Sequence, residues 1–137
     1  MPVLRLLPEW FGLEAALVQY QAEIDSLPTF LAQDGGQVLG FLSIKQHYPF
    51  AAEIYVMGVR PEAQRGGIGR ALVEAAQTWL RGQQVEYLQV KTLGPSNDDA
   101  HYARTRLFYQ AQGFRPLEEF KQIWDENNPC LVLVKRL

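Results

Sequence analysis

The sequence predicts a single α+β domain spanning residues 1–137, with three layers: helices on the faces of a mixed, mostly antiparallel sheet of about seven strands. Two observations predict this fold. The first is the order of β-rich runs and helical patterns along the chain, which is β-α-β-β-β-α-β-α-β-β. The second is size and composition, because 137 residues with 47% hydrophobic side chains fit one domain with its own core.

The first half of the chain predicts one helix followed by an antiparallel meander. Residues 2–7 predict a strand, and Phe11–Ile24 carries apolar positions at helical spacing before a proline at position 28 ends the pattern. Thr29–Gln33 and Gln37–Gln46 are two β-rich runs around a glycine pair, which is typical of a hairpin. Ala52–Val59 predicts the next strand.

The second half alternates helices and strands. An amphipathic helix is predicted from an apolar stripe with charged and amide side chains opposite, and Gly82 is a natural stop. The members of the stripe are Ile68, Leu72, Val73, Ala76, Trp79 and Leu80, with Arg70, Glu74, Gln77 and Arg81 opposite. Glu86–Leu93 predicts a strand. His101–Gln112 predicts a helix that Asp98 or Asp99 caps, with Ala103, Leu107, Phe108 and Ala111 inward. Phe114–Trp124 and Cys130–Leu137 predict the last two strands.

Charge and composition argue against several classes of protein. A formal net charge of −2 does not favour a nucleic-acid binder, which needs a basic face. One cysteine permits no internal disulfide, and no apolar run approaches the roughly 20 residues that cross a bilayer. The N-terminus lacks the pattern of a signal peptide, so a cytoplasmic location is expected. His47 and His101 are the only histidines, no metal-ligand cluster appears, and His47 is expected at the surface.

The most informative stretch is the loop that joins the Ala52–Val59 strand to the following amphipathic helix. Gly66, Gly67 and Gly69 fall within four positions at the start of that helix. Glycine permits positive φ and close approach of a ligand, and successive backbone N–H groups at a helix start form an anion site. The loop therefore predicts a pyrophosphate site. A glycine-rich turn without a ligand remains the alternative.

Two better-known phosphate loops do not fit this stretch. A Walker loop requires Lys and then Ser or Thr, whereas Arg70-Ala71 follows Gly69. The dinucleotide fingerprint requires a different glycine spacing from 66, 67 and 69.

Two motifs together resemble the GNAT N-acetyltransferase superfamily. Gln64-x-x-Gly67-x-Gly69, preceded by Val59-x-Pro61, is similar to its acyl-CoA signature, and the run from Phe108 to Phe114 is similar to a second signature downstream. The order of elements also resembles that fold over nearly the whole chain. The resemblance implies a GNAT-like fold, acetyl-CoA as acyl donor, no metal, and transfer of the acetyl group to an amine by direct attack in a ternary complex.

The resemblance also implies which residues bind the cofactor. The backbone amides from Arg65 to Arg70 are expected to hold the pyrophosphate, and Met57 and Val59 to pair with the pantetheine arm like an added strand. Gly58 lies where this strand commonly bulges in the superfamily. The implied cofactor-binding residues are Met57, Gly58, Val59, Gln64, Arg65, Gly66, Gly67, Ile68, Gly69 and Arg70. Tyr102 departs from the pattern, because the superfamily often has Asn at that position, seven residues before the tyrosine.

Two residues are candidates for acid–base chemistry. Tyr109 lies where the superfamily has a tyrosine near the cofactor sulfur, and is expected to protonate the leaving thiolate; simple packing against the sheet is the alternative. Strand alternation places Glu53 on one face with Tyr55 and Met57, and it is the candidate base, with a solvent-facing strand residue as the alternative. Cys130 has no obvious base beside it, which favours a buried structural thiol over a covalent intermediate.

The acceptor is predicted to be a small-molecule amine. Aromatic side chains with an acidic residue would suit an ammonium ligand, although the same residues could belong to the core. The candidate lining residues are Trp10, Phe11, Tyr48, Phe50, Tyr55, Trp124 and Asp125. A protein or peptide acceptor, or a non-catalytic acyl-CoA sensor, remains an alternative.

The apolar strand Cys130–Leu137 is expected near a sheet edge, where it would pair with a second copy in a homodimer.

Overall fold

The structure is a computed structural model that describes residues 27–34, 37–61, 67–97, 99–125 and 127–137. The predicted strand at 2–7 and the predicted helix at 11–24 lie outside the described residues. The elements within them are β1 (Thr29–Asp34), β2 (Gln37–Tyr48), β3 (Ala51–Val59), α1 (Ile68–Gly82), β4 (Tyr87–Leu93), α2 (Ala100–Ala111), β5 (Arg115–Asp125) and β6 (Asn128–Arg136).

The strands are hydrogen-bonded in the order β1-β2-β3-β4-β6-β5. Strands β3 and β4 run parallel, whereas the pairs β1–β2, β4–β6 and β5–β6 run antiparallel. Each of these strands overlaps a predicted one. The predicted α+β fold with a mixed, mostly antiparallel sheet is therefore confirmed.

The C-terminal strand is second from the edge of the sheet, but the prediction that it is open to pairing with a second copy is wrong. β6 pairs with β4 on one side and with β5 on the other, so its backbone is hydrogen-bonded on both sides. Four successive residues from Cys130 to Leu133 are buried, which is typical of an internal strand covered on both faces. The edge argument for a homodimer through this strand is therefore lost.

Residue contacts divide the chain into two compact units. The first unit contains the described residues up to Lys45 together with Tyr55–Leu80, and its core lies between the strand residues and α1. The buried apolar side chains are Val38, Phe41, Leu42, Ile44, Leu72, Val73, Ala76 and Leu80. The apolar stripe of α1 is thus largely confirmed, but Gln77 is buried although it was predicted on the polar face. Trp79 is partly exposed and meets Phe30 edge-on at 5.9 Å between ring centroids.

The second unit contains Gln46–Ile54 and Arg81–Leu137. Its helix α2 begins after Asp99, whose carboxylate accepts hydrogen bonds from the backbone N–H groups of His101 at 2.8 Å and Tyr102 at 3.3 Å. This confirms one of the two predicted caps. Leu107 was predicted to face inward but is 64% exposed, and Tyr109 is the buried side chain of α2 instead. The apolar positions of this short helix are too scattered to fix which side faces the core.

The end of α2 has a specific backbone geometry. Gly113 adopts φ +95°, the left-handed conformation, and donates its N–H to the Gln110 carbonyl at 3.0 Å. Phe114 N–H reaches back to the Tyr109 carbonyl at 3.1 Å. These two bonds form a Schellman motif, which ends the helix and fixes the backbone of Tyr109.

Candidate active site

Gly67, at the end of the glycine-rich loop, adopts a left-handed backbone conformation. Gly67 has φ +79°, and a Cβ added there would meet no heavy atom within 4 Å. Its carbonyl accepts the N–H of Ala71 at 3.0 Å, which begins the hydrogen-bond ladder of α1. The N–H groups of the first turn, from Ile68 to Arg70, therefore lie at the positive end of the helix dipole without intrahelical partners. Gln64, Arg65 and Gly66 lie outside the described residues.

The predicted pantetheine-binding segment lies at the end of β3. Met57, Gly58 and Val59 are all partly exposed, and they follow the short segment Ala51–Ile54 through which β3 pairs with β4. Arg60 fixes the end of this strand to β2, because its backbone N–H donates to the Leu39 carbonyl at 2.8 Å. This part of β3 belongs to the first unit, as does the start of α1.

Gly40 of β2 lies where the end of β3 meets the first turns of α1. A Cβ built on Gly40 would lie 3.0 Å from the Gly58 carbonyl oxygen and 3.2 Å from both Ile68 Cγ2 and Leu72 Cδ1. Only a residue without a side chain permits this approach. Within the first unit, Gly40 therefore brings together two residues from separate parts of the predicted cofactor site, Gly58 and Ile68.

Glu53 in the second unit is a buried carboxylate with two partners. It is 5% exposed, which excludes the solvent-facing alternative. Oε1 lies 2.7 Å from His47 Nε2, and Oε2 lies 3.3 Å from Lys91 Nζ. A buried charge is tolerated when it is paired and hydrogen-bonded in this way.

His47 connects this carboxylate to an open cavity. The imidazole is 32% exposed and lines a cavity of about 250 Å³ in the second unit. The other lining residues are Tyr48, Ala51, Ala52, Tyr87, Gln89 and Val134. Of the aromatic side chains predicted to line an acceptor site, Tyr48 lies here and stacks on Phe50 at 5.5 Å. Trp10 and Phe11 lie outside the described residues.

Tyr109 is buried and held between two aromatic rings. Its side chain is 8% exposed and meets Phe108 and Phe114 edge-on, at 5.4 and 5.8 Å between ring centroids. Burial raises the pKa of the phenol from 10.0 to about 12. Tyr109 therefore keeps its proton throughout the neutral range.

Several other side chains have local structural partners. Arg106 donates to the Leu93 carbonyl at 2.7 Å, and the Asp125 carboxylate accepts from the backbone N–H groups of Asn127 and Asn128, both at 2.9 Å, in the β5–β6 turn. Tyr55 lies in the first unit beneath Lys45 Nζ, which is 5.1 Å from the ring centroid. Cys130 is fully buried, and burial raises the pKa of its thiol, as expected of a structural cysteine.

Two features are absent from the part of the chain that the structure describes. Neither α1 nor α2 is long and apolar enough to span a bilayer. Among the described side chains, no three from His, Cys, Asp and Glu come together as a metal-binding group.

A family model of GNAT acetyltransferases matches residues 4–114. The chain belongs to the GNAT acetyltransferase family. A mycothiol acetyltransferase from Beutenbergia cavernae is 36% identical over 93 residues, which are 67% of this chain and 29% of that protein. This GNAT chain thus spans less than a third of the length of that curated relative.

Solved GNAT structures show the same fold. A crystal structure assigned to the GNAT family from Desulfovibrio desulfuricans has a TM-score of 0.81 at 20% identity, covering 98% of this chain and 89% of the other. A GNAT acetyltransferase from Elizabethkingia anophelis with acetyl-CoA bound has a TM-score of 0.72 at 19% identity, covering 93% and 85%. GNAT-fold neighbours of this chain therefore bind acetyl-CoA.

Sequence reasoning missed three residues of the candidate regions, one in the first unit and two in the second. His47 was expected at the surface, and neither Lys91 nor Gly40 was singled out. Strand alternation could have indicated Lys91. Residues paired across β3 and β4 point to the same face, and Glu53 is paired with Gln89. Lys91 is two residues after Gln89 and therefore points to that face as well. Nothing in the sequence shows that the turn after β2 returns His47 to Glu53.

Proposed function

We propose that this chain is an N-acetyltransferase that carries the acetyl group of acetyl-CoA to a primary amine of a small molecule. The observation that carries the proposal is the buried Glu53 carboxylate, hydrogen-bonded at 2.7 Å to a histidine that lines an open cavity. A sensor that only binds acyl-CoA would have no need of a buried, paired carboxylate beside a cavity. Family membership supports the same activity.

The donor site is proposed at the end of β3 and the start of α1. Gly67 fits a close approach of pyrophosphate oxygens, because its φ is +79° and the space around its missing side chain is empty. Gln64–Gly66 would complete this loop. Backbone groups of Met57 and Val59 would hold the pantetheine arm, beside Gly58. Acetyl-CoA supplies the thioester whose acetyl group is transferred.

Tyr109 is proposed to stabilise the charge that develops on the leaving sulfur. Its pKa of about 12 lies roughly 3.5 units above that of an ordinary thiol. Complete transfer of its proton to a thiolate is therefore uphill by about 5 kcal/mol. Tyr109 would thus act chiefly as a neutral hydrogen-bond donor, and solvent would finally protonate the thiolate.

A small-molecule acceptor is favoured by the size of the cavity beside His47. Its volume of about 250 Å³ lies just below the usual range of roughly 300–1,000 Å³ for drug-sized ligands. The similarity to a mycothiol acetyltransferase supports the same class of acceptor, although the alignment covers only 29% of that protein.

The proposal is tested by release of free thiol from acetyl-CoA with a panel of acceptors: tyramine, phenethylamine, ethanolamine and a short peptide with a free α-amine. We expect amine-dependent release with at least one small amine. If only the peptide is acetylated, the acceptor is a protein or peptide and not a small molecule. If the protein binds acetyl-CoA tightly but shows no turnover with any acceptor, the proposed enzymatic activity is contradicted and a role as an acyl-CoA sensor is supported.

A further inference from the structure

The cavity beside His47 offers a proton acceptor to whatever enters it. His47 forms part of the cavity wall, together with Tyr48, Tyr87 and Gln89. The rest of the wall is apolar: Ala51, Ala52 and Val134. Glu53 does not line the cavity, so a ligand there would meet His47 first.

Glu53 determines which nitrogen of His47 can accept a proton. A carboxylate accepts hydrogen bonds, so in the neutral imidazole Nε2 carries the hydrogen and donates it to Oε1 at 2.7 Å. The lone pair of the ring is then on Nδ1. Lys91 Nζ lies 3.3 Å from the other side of this carboxylate, and the carboxylate stabilises the imidazolium that forms when Nδ1 gains a proton.

We propose that His47 takes the proton of the acceptor amine, that Glu53 is the positioning residue that orients it, and that the cavity holds a primary amine on a small apolar or aromatic group. This inference rests on the proposed function and gives its acceptor site a location and a base. A neutral imidazole suits the task better than a carboxylate already engaged by two cationic or donor groups.

The proton balance of the step is simple. The neutral amine nitrogen bonds to the thioester carbonyl carbon while the carbon–sulfur bond breaks. One N–H proton passes to Nδ1 of His47, and the resulting imidazolium returns it to water, which the 32% exposed ring can reach. The thiolate takes one proton from solvent, so the products are an amide and a free thiol.

The titratable groups around His47 decide how the step depends on pH. Among the described residues of the second unit, these are Glu53, Lys91 across it, and the two tyrosines of the cavity wall. Cys130 lies within electrostatic range of Glu53 and Lys91. Because Nδ1 must offer a free lone pair, kcat/KM of wild type should be lower in acid than at neutral pH, and the His47 variants should lack this dependence.

The test compares three variants of the full chain, with whichever amine of the panel reacts fastest. His47→Ala removes the base, and His47→Gln keeps an N–H donor for Glu53 but accepts no proton. His101→Ala is the matched control, because His101 is an exposed histidine on α2 whose ring contacts Tyr102. Turnover, its pH profile and rescue by added imidazole are measured together with acetyl-CoA affinity.

We expect both His47 variants to lose about 10²–10⁴-fold in kcat and to lose the fall in kcat/KM in acid, with acetyl-CoA affinity unchanged. Added imidazole should raise the kcat of His47→Ala by about tenfold or more and leave the kcat of His101→Ala unchanged. If His47→Gln keeps wild-type turnover, His47 serves only as a hydrogen-bond donor to Glu53; the inference then fails, but the proposed acetyltransferase activity is unaffected. If wild type itself shows no turnover, both the inference and the proposed function are overturned.

Discussion

Substituting Gly40 by alanine tests the packing that joins the two parts of the predicted cofactor site. The new Cβ would lie 3.0 Å from the Gly58 carbonyl oxygen and 3.2 Å from Ile68 and Leu72. The Gly58 oxygen is backbone and cannot rotate away, so either β3 or α1 must shift by a few tenths of an ångström. Gly58 and Ile68 should therefore move apart.

The size of the effect follows from two opposing contributions. Overpacking of this kind costs about 1–3 kcal/mol, and replacing glycine inside a strand regains roughly 0.5–1 kcal/mol of chain entropy. With the middle value of each range, the net loss in the free energy of unfolding is about 1 kcal/mol. For 137 residues this corresponds to a fall in Tm of about 4 °C.

The assay is a thermal melt of each variant, followed by acetyl-CoA affinity measured by calorimetry. Gly82→Ala is the matched control, because a Cβ there meets nothing within 4 Å and Gly82 is the last residue of α1. We expect Gly82→Ala to melt at or slightly above wild type, and Gly40→Ala to melt lower and bind acetyl-CoA more weakly. A Tm for Gly40→Ala equal to that of the control would refute the packing argument. A lower Tm with unchanged affinity would refute its link to the cofactor.

Further predictions concern Tyr109 and Gly113. Tyr109→Phe removes one hydrogen-bond donor to the leaving sulfur and should reduce kcat by about 10²–10³-fold, while acetyl-CoA affinity, measured by calorimetry, stays within a few-fold of wild type; unchanged kcat would leave Tyr109 a packing residue. Because folding raises the pKa of Tyr109 from 10.0 to about 12, its neutral form contributes stability that is fully present below pH 10 and is lost between about pH 10 and 12. In alkaline melts, the free energy of unfolding of wild type should therefore fall by about 3 kcal/mol more than that of Tyr109→Phe across this interval, and equal losses would contradict the burial of the phenol. Gly113→Ala should lower the free energy of unfolding by about 1–2 kcal/mol, because φ is +95° there, and denaturant titration beside Gly82→Ala would reveal the difference.

The sequence predicts the order of elements well because its signals are local. Hydrophobic periodicity predicts α1 and the strands, and Asp99 and Gly113 mark the two ends of α2 through their hydrogen bonds. The position of β6 inside the sheet is not local information. It depends on strand pairing between distant segments, although the unbroken apolar run from Cys130 to Leu133 is a signal for an internal strand.

In the candidate site, too, local features could be predicted from the sequence and tertiary contacts could not. Gly67 was predicted from a loop motif, and its left-handed φ and open surroundings agree with that interpretation. Glu53 was found by strand alternation, but its partners depend on tertiary structure: His47 returns through a tight turn and Lys91 comes from a different strand. The role of His47 was missed because an isolated histidine near a strand end has no sequence pattern that distinguishes it from a surface residue.

The central claim is that acetyl-CoA binds at the start of α1, and one titration tests it most directly. Wild type, Gly67→Val and Gly82→Val are melted with increasing acetyl-CoA, the two variants carrying the same side chain at glycines that both have open surroundings. At an acetyl-CoA concentration of about 100 times the dissociation constant, the free energy of unfolding of wild type and of Gly82→Val should rise by about 2.7 kcal/mol. For a chain of 137 residues this raises Tm by about 9 °C, whereas the Tm of Gly67→Val should not change. A wild type that does not respond, or a Gly67→Val that responds as strongly as Gly82→Val, would contradict the account.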